Sequence, residues 1–233
     1  MARVLSTSEA LNAVTRGVAL FRAQPASTVR REHFDPWTAD SHDDCSLLAM
    51  SSRADFGSVH AFISHSYHDE AESKACIVQE WAAQKLEAPC EVLVWLDKTC
   101  IDPPSRHAES NTIGLLPVFV AGCQQMLILP GATYTSRLWC LLELFVYMQI
   151  GGSADSIVMR PLPGIDSVCL MQPSIDVAKA GCAEPDDRET ILAVIETSSG
   201  SLAPFNQKMR QLFGNRQLGS TQPVAQAVGR KAL

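Results

Sequence analysis

From Val59 onward the sequence alternates short, nearly unbroken apolar runs with segments whose apolar residues recur at helical intervals. The order is SVHAFISHS, DEAESKACIVQEWAAQKLE, EVLVWLD, a loop, TIGLLPVFVAGC, QMLILP, SRLWCLLELFVYMQ and SIVMRPL. Strands exposed on one face alternate apolar and polar residues, whereas EVLVWLD and QMLILP are continuously apolar, as strands buried on both faces are. The alternation predicts an α/β fold, a parallel sheet with helices on both faces.

The flanks are weaker in pattern. Residues 25–58 are mixed and polar, interrupted by FDPW, and read as irregular cover. DDRETILAVIE and FNQKMRQLF read as closing helices, and QLGSTQPVAQAVGRKAL as a loose tail. The expected organisation is therefore an N-terminal helix with irregular cover over 1–57, the α/β domain over 58–214 and a tail over 215–233. The stretch from Asp155 to Glu184 reads either as a fifth strand with its loops or as irregular structure.

The first residues carry arginines, a single acid and helical spacing, as a mitochondrial transit peptide does. The stronger reading is a docked helix: Ser6 and Glu9 have capping-box spacing, and Leu11, Val14, Val18 and Phe21 follow at helical intervals. A net charge of −6 argues against a nucleic-acid partner. No apolar run reaches the roughly 20 residues that span a bilayer. The eight cysteines include no C-x-x-C pair, so a reducing, cytoplasmic setting is expected.

In an open parallel sheet, ligands bind beyond the carboxyl ends of the strands. Those ends carry Ser64, His65, Ser66 and Asp69, then Asp97 and Lys98, then Gly131, Thr133 and Tyr134. The next helix, with Thr135 or Ser136 as its expected N-cap, sets Glu143 into an apolar run. An unpaired buried charge is costly, so Glu143 has either a task or a partner such as Arg137 or Lys98. On a helical wheel it shares a face with Trp139 and Tyr147, four residues before and after it.

AFISHSYHDE, VWLDK and SRLWCLLEL, in this order with helices between them, resemble the signature segments of Toll/interleukin-1 receptor (TIR) domains, and more closely those of divergent TIR-like proteins. The resemblance covers roughly residues 59–160, and W-C-x-x-E-L after a third strand is its most specific part. It implies a flavodoxin-like sheet of five parallel strands in the order 2-1-3-4-5. Some TIR domains cleave NAD to nicotinamide and ADP-ribose products; others act as signalling scaffolds by self-association. The essential glutamate of the catalytic members lies four residues after the tryptophan, which is Glu143 here. The resemblance further implies substrate contacts from His65, Ser66, Asp97, Lys98 and Trp139. NAD would be a substrate and not a cofactor, and no glycine-rich dinucleotide loop is present.

The chain departs from the family in two places. The loop TCIDPPSRHAESN carries two prolines where many members have a glycine, and His65 and Ser66 stand where several catalytic members have arginine. Three other chemistries read less well. His60, His65 and His68 lack a convergent acid or thiol for a metal, Cys140 lies in an apolar helix where a thiol is inert, and Asp97 as a phosphoacceptor lacks an acidic cluster for magnesium.

Overall fold

The computed structural model describes residues 7–36, 44–85, 91–101, 109–165 and 175–215. In chain order its main elements are α1 (Thr7–Leu20), β1 (Arg22–Pro25), α2 (Asp44–Ala49), β2 (Ser52–Arg53), β3 (Val59–His65), α3 (Ala71–Ala83), β4 (Leu93–Trp95) and α4 (Asp97–Cys100). They continue with α5 (Glu109–Ala121), β5 (Cys123–Leu129), α6 (Leu138–Gln149), β6 (Ile157–Met159), α7 (Pro185–Ser199) and α8 (Leu202–Asn215). The loop segment 102–108, with both of its prolines, and the tail from 216 lie outside the described residues.

The fold is α/β, with one mixed sheet of six strands in the order β2-β1-β4-β3-β5-β6. The four apolar runs form its parallel part, β4-β3-β5-β6, which is 2-1-3-4 in their own chain order. Among the described residues four strands and not five are parallel, and the sheet is extended beyond β4 by β1, which pairs antiparallel with β4 and with β2.

Side-chain alternation divides the core between the two faces of the sheet. Phe62, Trp95, Met126 and Ile128 point into a large layer with residues of α5, α6, α7 and α8. Ala61, Ile63, Val94, Leu96, Leu127 and Leu129 point the other way, against Ala75, Val78 and Trp81 of α3. Since successive residues of a strand face opposite sides, a one-residue slip would exchange these two sets. In the larger layer Trp95 stacks on Phe62 at 4.5 Å and on Phe119 at 5.3 Å.

The N-terminal segment is more than irregular cover. Arg22 donates to Ser51 Oγ at 2.9 Å and to the Leu48 carbonyl at 3.0 Å, which ties β1 to the chain entering β2. Ala26, Val29 and Phe34 are fully buried in the α3 layer. The expected docking stripe of α1 is also corrected, because Leu11, Val14 and Val18 are exposed. The helix docks instead through Ala13, Gly17 and Leu20. A Cβ on Gly17 would come within 2.7 Å of Val118, so glycine permits the close approach to α5. Among the described residues no helix is long and apolar enough to cross a membrane.

If residues 22–36 belong to the core, Phe34→Ala should destabilise the whole fold by about 3–5 kcal/mol, as loss of a buried aromatic does. Denaturant unfolding followed by tryptophan fluorescence checks this. A cost below about 1 kcal/mol would mark the segment as loose cover.

Candidate active site

β3 is the strand at which the parallel sheet turns back on itself, since β4 lies on one side of it and β5 on the other. A crevice opens beyond the carboxyl end of such a strand. Here it is a cleft of about 370 Å³. Its polar lining includes His65, Ser66, Asp97, Arg137 and Glu143, and its aromatic lining includes Tyr67, Trp95, Phe119 and Trp139.

Glu143 reaches the cleft from the second turn of α6. Ser64, fully buried at the end of β3, donates its hydroxyl to Glu143 Oε2 at 2.5 Å. The Ser64 oxygen lies 2.7 Å from the hydroxyl of Tyr134. A serine hydroxyl carries one proton, so with that proton directed to Glu143 the tyrosine is the donor and the order runs Tyr134, Ser64, Glu143. Burial raises the Glu143 carboxyl well above its ordinary value. The Ser64 hydrogen bond opposes the rise, and the charge of Asp97 adds to it. No ion pair joins Glu143 to Arg137 or Lys98 among the described residues, so its partner is a hydroxyl and not a cation.

A second pair of groups stands on the other rim. Nε2 of His65 lies 3.5 Å from Oδ1 of Asp97, with the imidazole only 2% exposed and the carboxylate 27%. The His65 ring is held edge-on by Phe34 at 4.9 Å and by Tyr67 at 4.6 Å. Burial pushes the Asp97 carboxyl up. Contact with His65, then with Tyr67 and the Lys98 N–H, outweighs burial and holds Asp97 below its ordinary value. The two carboxyls of the cleft are thus driven in opposite directions, an arrangement that lets one stay charged while the other exchanges a proton.

Hydrogen bonds hold the loop between β3 and α3 in place. Ser66 Oγ lies 2.7 Å from Thr133 Oγ1, and Asp69 Oδ1 accepts from Thr133 N and Oγ1, each at 2.9 Å. A Cβ on Gly131 would collide with the Asp69 carboxyl, so glycine lets the Asp69 side chain pack against this turn. Lys74, fully buried on α3, donates to the Ser66 carbonyl at 2.7 Å and sits 5.3 Å from the centre of the Phe34 ring. Burial lowers its pKa to about 8 against the opposing pull of Asp69 and Asp97.

The structure therefore brings Glu143, His65, Ser66, Asp97 and Trp139 to one cleft. Lys98 is not among the residues that line it. Its ammonium donates to the carbonyls of Glu32 and Asp35 at 2.9 and 2.7 Å, acceptors more than sixty residues away that a local reading does not supply. The N-cap expectation is corrected as well. Ser136 donates to the Thr133 carbonyl at 2.7 Å within a 3₁₀ turn, and Arg137 occupies the cap position with no side-chain cap bond. Sequence reasoning gives Ser64 and Tyr134 no role beyond a place at the strand ends, and Arg137 only that of a partner for Glu143.

Cys140 donates to the His65 carbonyl at 3.1 Å, and burial raises its thiol well above the ordinary value, so it is not a nucleophile here. Nδ1 of His60 accepts from Leu93 N at 3.1 Å in the sheet. Among the described residues no three His, Cys, Asp or Glu side chains could hold a metal ion. No protein-family model, curated protein or solved structure matches this chain.

The raised carboxyl yields a signed prediction. A group that binds its proton more tightly when folded than when unfolded costs stability as pH rises from its unfolded value of 4.5 through its folded one. Glu143→Gln keeps an acceptor for Ser64 and removes this cost. The variant should equal the native protein in stability near pH 4.5 and exceed it increasingly toward pH 8. Urea midpoints at several pH values decide the matter, and a gap that does not grow with pH would refute the assignment.

Proposed function

We propose that this chain is a TIR-like domain that hydrolyses NAD to nicotinamide and ADP-ribose, with Glu143 as the catalytic carboxylate. The observation that carries the reading is the half-buried carboxyl of Glu143, four residues after Trp139, held by Ser64 in a cleft at the carboxyl edge of a parallel sheet. The 2-1-3-4 order of the parallel strands supports it, as the beginning of a flavodoxin-like order.

The chemistry needs only one such group. Ordinary glycoside cleavage uses an acid for the leaving oxygen and a second carboxylate. The nicotinamide of NAD is already a cation, so the bond from C1′ of the ribose to the ring nitrogen breaks with its electron pair passing to the ring, and a neutral molecule departs. What remains is an oxocarbenium-like ribosyl centre, which a fixed anion stabilises. Water adds to C1′, and its proton passes to the carboxylate and then to solvent. Trp139 and the other aromatic walls offer faces on which a planar ring can stack.

The raised proton affinity of Glu143 fits a cationic ligand. An empty apolar site favours the neutral acid, whereas a pyridinium or oxocarbenium centre beside it favours the anion, so binding of the cation is linked to proton release. Turnover should therefore rise with pH through the raised Glu143 value.

A second reading, a non-catalytic domain that self-associates, is favoured by the exposed Leu11, Val14 and Val18 of α1. It predicts concentration-dependent association without turnover.

Purified protein assayed for nicotinamide release from NAD at low and high concentration separates the two. Catalysis by Glu143 predicts release that Glu143→Gln lowers by at least about 100-fold, the scale for loss of an electrostatic stabiliser, with the fold retained. Equal release by native protein and variant, or association with no release, would overturn the catalytic assignment.

A further inference from the structure

Among the described residues, Arg137 is the only lysine or arginine that lines the cleft. Two other cations near the cleft are committed elsewhere: Lys98 to the carbonyls of Glu32 and Asp35, and Lys74 to that of Ser66. The Arg137 guanidinium is half-buried and, among the described residues, has no hydrogen-bond or ion-pair partner. Asp97 faces His65 and Glu143 faces Ser64, so neither carboxyl of the cleft serves it. A charge drawn into a cleft and left without a counter-charge is costly, which points to a partner that arrives from outside.

The backbone around Arg137 is held on both sides. Leu138 N donates to the Gly181 carbonyl at 2.9 Å, and Gly181 N donates to the Ser136 carbonyl at 2.7 Å. Nη1 of Arg137 lies 3.4 Å from where a Cβ of Gly181 would stand. The side chain thus packs along a glycine backbone and not into open solvent. Trp95, only 1% exposed, lines the same cleft, and among the described residues its buried indole N–H has no hydrogen-bond partner.

We infer that Arg137 is the anion anchor of this cleft and takes the phosphate of a ribosyl phosphate whose C1′ end lies at Glu143. The inference rests on the proposed reading only for what Glu143 faces. Arg137 caps α6 and Glu143 lies six residues further on, about 9 Å along the helix axis, and both line the one cleft. A guanidinium fork matches phosphate oxygens two at a time, and the positive end of α6 adds to its field. The cleft then selects a ligand by two charges of opposite sign, a cationic ring toward Glu143 and a phosphate toward Arg137.

Nicotinamide mononucleotide and nicotinamide riboside differ by that phosphate alone, so their turnover tests the anchor. Native protein should prefer the mononucleotide in kcat/KM by about 10- to 100-fold, the worth of a charge-assisted hydrogen bond. Arg137→Gln should narrow this preference toward one, with the loss falling on the mononucleotide. Arg137→Lys should lie between and serves as the folded comparison if the glutamine variant melts early. Equal loss on both substrates, or no loss on either, would overturn the anchor. If no nicotinamide is released from any substrate, titration of ADP-ribose into native protein and the Arg137 variants tests the anchor independently of turnover. Binding that weakens with Arg137→Gln upholds the anchor while the glycohydrolase reading fails, and absent or Arg137-independent binding overturns it.

Discussion

The hydrogen bond from Ser64 to Glu143 joins the central strand to the helix that follows β5, and the geometry of the cleft depends on it. It fixes the carboxyl of α6 against the end of β3. Being a hydroxyl and not a cation, Ser64 holds the group without neutralising it, so burial is left uncompensated and the proton affinity rises. The site therefore keeps a buried carboxyl that no cation offsets.

The opposite rim depends on the segment that leads into the domain. Phe34 packs edge-on to His65, and the carbonyls of Glu32 and Asp35 take the ammonium of Lys98, the residue after Asp97. The backbone N–H of Lys98 in turn donates to Asp97 Oδ1 at 2.8 Å. Residues 31–36 thereby hold both members of the His65 and Asp97 pair, while β1 closes the sheet edge beside β4. Phe34, the Glu32 and Asp35 carbonyls and β1 thus pack the segment before residue 57 against the site.

The legible parts of the sequence are those whose information is local. β4 (LVW) and the MLIL half of β5 are continuously apolar and β3 is largely so, and the strand ends, the tryptophan and the glutamate follow from them in order. β1 and β2 are not legible, because RAQP and SR are short and polar and are strands only by virtue of their neighbours. The docking face of α1 is hidden for a related reason. Periodicity weights large apolar residues, whereas the close approach to α5 is made at Gly17, which carries no such signal. Lys98 reads as a ligand contact because its true acceptors are backbone carbonyls, which carry no residue-type signal.

One helix carries both Arg137 and Glu143, with a mechanical consequence. Arg137 at the cap of α6 and Glu143 in its second turn move as one body, so their separation is fixed by helical rise and not by loop conformation. The groups that face them, His65 and Asp97, sit at the ends of β3 and β4 and are fixed by the sheet. Among the contacts that fix α6 are the Ser64 hydrogen bond to β3 and the pairing of Ser136 and Leu138 with Gly181. Gly181 lies just ahead of α7, within the stretch from Asp155 to Glu184 whose sequence pattern is ambiguous. One anchor of the site thus comes from a segment that periodicity does not define, because a register held by two backbone hydrogen bonds asks little of side-chain identity.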